Sequence, residues 1–302
     1  MNTGILRAEG VCKSYGKKQV LHDLDLTIEP GKIYGLIGRN GAGKTTLLGI
    51  LTGQNTMNAG SVTYGGAPVW ENQAALDDIC FSRELSPTIL FGQNNTKVKD
   101  YLRSAACFLP HWDKEYAERL VREFHLEGKK RICQLSKGQM SMVTIVLALA
   151  SMAPLTILDE PAAGLDVVAR ERLYQLILED YARTNRTFLI STHIIEEAAG
   201  VFERVIILDE GHILENCPTE DLVSQFAYVS GHQEAVDRAC QGVTVLQSQH
   251  MGRHLTCAVR GDMDRLARQA ESEDVDVAPM NLQKVFVALC GHDDLQGGGG
   301  LV

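Results

Sequence analysis

The sequence is short of positive charge. Its 29 Lys and Arg face 38 Asp and Glu, a net charge of -9. That balance excludes a general nucleic-acid binder, which needs a basic face. The same deficit argues against unaided adhesion to an anionic leaflet. Closely spaced cysteines are missing as well. The eight cysteines stand at 12, 80, 107, 133, 217, 240, 257 and 290. No two form a C-x2-C pair, which removes the zinc ribbon and the redox dithiol. Scattered thiols fit a reducing cytosol. Long apolar runs are absent too. The longest, Val143 to Leu158, is too short to span a bilayer and Pro154 interrupts it. Met1 to Glu9 has no apolar signal-peptide region. The chain is therefore not expected to cross a membrane itself.

What is present is an ordinary globular composition, 45% hydrophobic and 22% charged, which supports a sizeable core and excludes global disorder. The length of 302 residues allows one large domain, or a large one with a small one. No internal repeat is found. Ile5 to Val11 and Val20 to Ile28 read as strands around a turn at Tyr15 to Lys18. Ile33 to Ile37 reads as a short buried strand, followed by a glycine-rich turn and a helix from Thr46. Helical spacing dominates from about Leu85 to Ala150. Beyond it, Leu155 to Leu158, Thr187 to Ser191 and Val205 to Leu208 read as strands alternating with helix. The alternation predicts an α/β fold with a mainly parallel sheet into which residues 85–150 are inserted. A second unit begins near Gln225. Strand candidates at 227–229, 243–246, 255–259 and 275–277 alternate with helix candidates at 234–240 and 263–271. The order β-α-β-β-α-β predicts a small split-βαβ, α+β domain over 225–292, with a flexible glycine-rich tail at 293–302.

Gly38-Arg39-Asn40-Gly41-Ala42-Gly43-Lys44-Thr45-Thr46 fits G-x-x-x-x-G-K-[ST] and sits between a strand and a helix. Glycines let successive N–H groups curl round a phosphate. Lys44 supplies a point charge, the Thr45 hydroxyl can ligate Mg2+, and the helix N-terminus faces the anion. Asp159 and Glu160 end a buried strand, where ligands of open α/β sheets bind. Asp159 is expected to hold Mg2+ and Glu160 to polarise an attacking water. Leu135-Ser136-Lys137-Gly138-Gln139 precedes a helix; alone, Ser136 reads as an N-cap.

In this order the motifs resemble the nucleotide-binding subunit of an ATP-binding cassette (ABC) transporter, over residues 3–220. Tyr15 resembles the aromatic that stacks on adenine. Residues 135–139 resemble the family signature, and Ala163 to Asp166 the loop that couples paired sites. His193, after Ser191-Thr192, matches the switch histidine. The resemblance implies a P-loop NTPase cassette over 1–224, with an antiparallel N-terminal β subdomain and the helical insertion. It implies two cassettes sandwiching two ATP molecules. The phosphate loop of one copy and Ser136, Gly138 and Gln139 of the other would enclose each nucleotide, with Asp166 nearby. His193 would contact the γ-phosphate. It further implies a multi-span permease as partner and a cytoplasmic place on the inner face of the membrane through that permease.

Two positions depart from the family pattern. Lys137 stands where the signature usually has Gly. It either faces solvent, the default for Lys, or attracts the γ-phosphate. Glu84 takes the place of a glutamine after the next strand and could reach Mg2+ through water; Gln93 is a second candidate. Asn281 to Leu289 resembles the tail helix of bacterial export cassettes, and also fits an ordinary packed helix. The leading expectation is an export motor for a drug, antimicrobial peptide or lipid-linked cargo. The alternatives are a nutrient importer's energiser and a soluble cassette ATPase.

Overall fold

The computed structural model describes residues 4–85 and 96–291. Gln93 and the 293–302 tail lie outside the described residues. The chain divides into two units, Met1–Asn216 and Cys217–Val302.

In the first unit, β1 (Leu6–Tyr15) and β2 (Lys18–Ile28) form an antiparallel hairpin closing at the Tyr15↔Lys18 pair. Alternation buries Leu6, Ala8 and Val11 of β1 against Leu24, Leu26 and Ile28 of β2. A bulge between Ala8 and Val11 resets the pleat. β3 (Ile33–Ile37) is buried at every position, as a central parallel strand must be. Then come α1 (Lys44–Leu51), β4 (Ala59–Tyr64), β5 (Ala67–Pro68), α2 (Gln73–Leu76) and β6 (Ile79–Ser82). The helical stretch supplies α3 (Val98–Ala106), α4 (Lys114–Glu123) and α5 (Lys137–Ala150). β7 (Leu155–Asp159), α6 (Val167–Thr184), β8 (Thr187–Thr192), α7 (Ile195–Ala198), β9 (Arg204–Asp209) and β10 (His212–Pro218) follow.

These strands make two sheets. One has the order β2-β1-β4-β5; the other, six-stranded, has the order β10-β9-β3-β8-β7-β6. The β3/β8, β3/β9, β7/β8 and β6/β7 pairs are parallel. The α/β layout with its antiparallel N-terminal sheet is thus as the sequence predicts. β4 and β10 are additions, half-exposed strands whose apolar alternation is weak.

The second unit holds α8 (Thr219–Val223), β11 (Phe226–His232), α9 (Gln233–Ala239), β12 (Thr244–Met251) and β13 (His254–Arg260). α10 (Met263–Glu273), β14 (Asp276–Pro279) and α11 (Leu282–Cys290) complete it. Its sheet has the order β12-β13-β11-β14, and every pair is antiparallel. Ala227, Val229, Leu255, Cys257 and Val259 pack against Val236, Ala239 and Leu266 of the two helices. The last strand begins after Val275 rather than at it. Val275 stays with the helix end, its N–H donating to Ala270 O (3.2 Å), and packs on this core.

Among the described residues no helix is long and apolar enough to cross a membrane. Cys107 and Cys133 are exposed, whereas Cys80, Cys240, Cys257 and Cys290 are buried. Burial pushes the Cys80 and Cys257 thiols up, and that of Cys240 to about 11.

Candidate functional site

Strand order decides what meets here. β3, β8 and β7 are neighbours in parallel, with Ile37 opposite Thr192 and Asp159 opposite Ser191. The turns leaving their carboxyl ends therefore converge, and they carry Gly38–Thr46, Asp159-Glu160 and His193.

The glycine-rich turn is held tightly. A Cβ at Gly38 would lie 2.3 Å from Leu208 O, so only glycine fits under β9. Gly43 caps α1 at φ +109, a left-handed conformation glycine adopts without strain. The Gly211 N–H, in the turn after β9, donates to Ala42 O (3.1 Å) and braces the loop. Lys44 is buried, and its Nζ donates to Gly38 O (2.7 Å) and Arg39 O (3.3 Å). The ammonium thus sits inside the curl of the loop. Burial lowers its pKa, while the Glu160 and Asp159 carboxylates pull it back up.

Thr45 Oγ1 donates to Asp159 Oδ2 (3.0 Å). Asp159 is buried, and its Oδ1 has no hydrogen-bond partner among the described residues. An orphaned buried carboxylate oxygen beside a hydroxyl is a donor set that fits a hard divalent cation such as Mg2+.

Glu160 has φ +51, a left-handed conformation that costs a non-glycine residue energy. Its N–H donates to Ser191 O (2.9 Å), tying it to β8. Its Oε2 lies 2.7 Å from His193 Nδ1 and accepts the His193 backbone N–H at 3.3 Å. With the carboxylate ionised, the imidazole must donate, so the proton is on Nδ1 and Nε2 remains for another partner.

Ser136, Gly138 and Gln139, at the start of α5, meet the loop that leads to Asp166. Ser136 caps α5. Its Oγ accepts the Gln139 N–H (3.2 Å), and Gln139 Oε1 accepts the Ser136 N–H (3.2 Å) and a bond from Lys130 Nζ (3.1 Å). Gly138 lies against the loop before α6, where a Cβ would sit 2.6 Å from Gly164 O. Ser141 Oγ donates to Ala163 O (2.6 Å). Asp166 caps α6 by accepting the Ala169 N–H (2.8 Å). Tyr15 is half exposed at the hairpin end, with Lys13 Nζ 5.0 Å from its ring centre. Arg39, Asn40, Gly41 and Ala42 border a cavity of about 640 Å3 that Lys18, Gln19 and His22 also line.

Glu84 and Lys137, the two departures, meet each other. Lys137 Nζ lies 3.2 Å from Glu84 Oε1. Lys137 is thus paired rather than alone in solvent, and Glu84 is engaged by an ammonium. Lys130, Ser141 and Gly211 position the site and escaped the sequence reading. Only the D-E-G turn at Gly211 carried a local signal.

The family profile described as "ABC transporter" matches residues 21–163. The chain is 30% identical to the Nod factor export ATP-binding protein I of Cupriavidus pinatubonensis, covering 96% of this chain and 92% of that one. It is 31% identical to the taurine import ATP-binding protein TauB of Escherichia coli O157:H7, covering 71% of this chain and 84% of that one. A solved ATP-binding subunit of an ABC transporter superposes with a TM-score of 0.63 at 27% identity, over 72% of this chain and 91% of that one.

Proposed function

The chain belongs to the ATP-binding subunits of ABC transporters, and on that premise we propose that it powers export through a separate multi-span permease. Such subunits bind ATP, hydrolyse it in step with transport, dimerise and work with membrane permeases. Export is favoured by one observation. The Nod factor export relative matches over 96% of this chain, the second unit included, whereas the taurine import relative matches over 71%. The cargo class this reading carries is a drug, antimicrobial peptide or lipid-linked molecule. Import is the second reading, because TauB shares the cassette.

In this reading Tyr15 stacks on adenine, and the N–H groups of Gly38 to Thr46 wrap the phosphates around the Lys44 ammonium. Thr45 and Asp159 would hold Mg2+, and Glu84 would add a contact through water; the bound cation would supply positive charge against the phosphate oxygens. Glu160 orients a water in line with the γ-phosphorus, and His193, held by Glu160, turns Nε2 to the γ-phosphate. Attack forms the new P–O bond and breaks the bond to the β–γ bridging oxygen, leaving ADP and phosphate. The contribution of these residues is position and charge, not covalent chemistry. Ser136, Gly138, Gln139 and Asp166 serve the nucleotide of a second copy. The chain then sits in the cytoplasm, on the inner face of the membrane, through its permease.

Affinity capture from detergent-solubilised host membranes, read by mass spectrometry, tests this. A multi-span permease without an extracytoplasmic binding protein is the expected catch. A binding protein in the complex would turn the reading to import. Only soluble partners, in repeated low-salt captures, would sink the transporter reading.

A further inference from the structure

Glu84 and Lys137 occupy the two places where this chain departs from the pattern of its family, and the departures are complementary in charge. Glu84 lies just past β6, whose Ser82 pairs with Leu158 of β7, so it leaves the same sheet edge as Asp159 and Glu160. Lys137 opens α5, directly after the Ser136 cap. Its stem crosses Gly164, where φ is +76 and a Cβ would stand 2.7 Å from Lys137 Cγ. One side chain therefore joins three segments: the signature, the loop leaving Glu160, and the segment after β6. Both members of the pair are about half exposed, at 56% and 51%. An ion pair so wet contributes little to stability and opens readily.

Taking the ATP-motor reading above as given, we propose that the Lys137–Glu84 pair is a latch within one subunit. While closed, it keeps Lys137 from the triphosphate of the second copy and Glu84 from the metal held by Thr45 and Asp159. One carboxylate cannot serve the ammonium and the cation's water shell with full strength together. Charging a subunit's own phosphate loop with ATP and Mg2+ draws Glu84 away. The freed ammonium of Lys137, at the start of α5, then meets the γ-phosphate on the partner copy. Loading of one site thereby arms the signature that completes the other. The usual glycine at 137 has no such ammonium, so this coupling belongs to the Lys–Glu combination.

The test uses the full chain carrying Glu160→Gln, so that hydrolysis does not erase the dimer. ATP with Mg2+ is titrated, and the monomer–dimer distribution is followed by sedimentation. ATP binding to the dilute monomer is measured alongside. Glu84→Gln, which keeps a polar oxygen for the metal's water, should lower the ATP concentration at half-dimerisation by up to about 5-fold, the limit for an exposed pair. Lys137→Gly should raise it by about 10-fold or more, the loss of a charge-assisted contact. Lys137→Arg should stay near the parent. In the double variant Glu84→Gln should have no further effect, because no ammonium is left to release. Lys137→Gly should raise the monomer's affinity for ATP with Mg2+ by up to about 5-fold, because Glu84 then has no ammonium to leave. An unmoved midpoint in either single variant, or an undiminished Glu84→Gln effect without Lys137, overturns the latch while leaving the motor reading intact. A chain that binds no ATP overturns the motor reading itself, and one that binds ATP without ever pairing overturns the shared site and the latch with it.

Discussion

His193 and Glu160 meet through a single oxygen. Glu160 Oε2 takes both the imidazole Nδ1, at 2.7 Å, and the backbone N–H of the same histidine, at 3.3 Å. In the proposed mechanism the second carboxylate oxygen would hold the water. Glu160→Gln should therefore bind ATP as the parent does, hydrolyse it about 100-fold or more slowly, and accumulate as a dimer. Steady-state phosphate release and sedimentation measure both effects. Turnover at the parental rate would remove Glu160 from the catalytic role.

Lys44→Ala should weaken ATP by about 10-fold to 100-fold or more, since each charge-assisted bond to phosphate contributes about 1.5–3 kcal/mol. Calorimetric titration reads the loss, and a normal affinity would refute the phosphate-loop assignment.

The same lysine sets a pH dependence. Burial holds the ammonium below its ordinary value of 10.5 in the free chain, against the raising fields of Glu160 and Asp159. The protonated form is the one that binds phosphate. Affinity is therefore greatest below the lowered pKa and falls as pH climbs through it, before 10.5 is reached. An ATP affinity that stays flat up to that pH would show that Lys44 does not supply the charge.

Much of this site is legible in the chain because its chemistry is local. Gly38 to Thr46, Asp159-Glu160 and Ser191-Thr192-His193 are short runs following buried strands, and parallel pairing alone brings their ends together. The Lys137–Glu84 contact is not legible that way. It depends on how α5 lies beside β6, which no short window encodes. The cap role of Asp166 follows from its place directly before α6, and is separate from the coupling loop and nucleotide contact that the resemblance implies for it. β10 escaped because its residues are nearly all half-exposed, so no apolar period marks it.

Gly164→Ala should cost about 1–3 kcal/mol, from strain at φ +76 and from the clash with the Lys137 stem. Gly200→Ala, with nothing within 4 Å of the added methyl, is the control and should be close to neutral. Thermal unfolding compares them. Equal melting temperatures would mean the loop before α6 yields freely.

Removing residues 225–302 should leave a folded cassette that binds ATP. The cut is placed beyond Pro218 because β10 runs past the division at Asn216, and a shorter fragment would lose the end of a sheet strand. An insoluble fragment, or one without ATP affinity, would show that the second unit is needed for the first to fold.

The distribution of thiols has a practical consequence. Cys80, Cys240, Cys257 and Cys290 are shut away, while Cys107 stands exposed at the end of α3 and Cys133 just ahead of the Ser136 cap. A maleimide dye offered to the unaltered protein will find these two sites first. The helical insertion therefore comes with its own attachment points for fluorescence, and any change in its surroundings on nucleotide addition would be read without engineering a single cysteine.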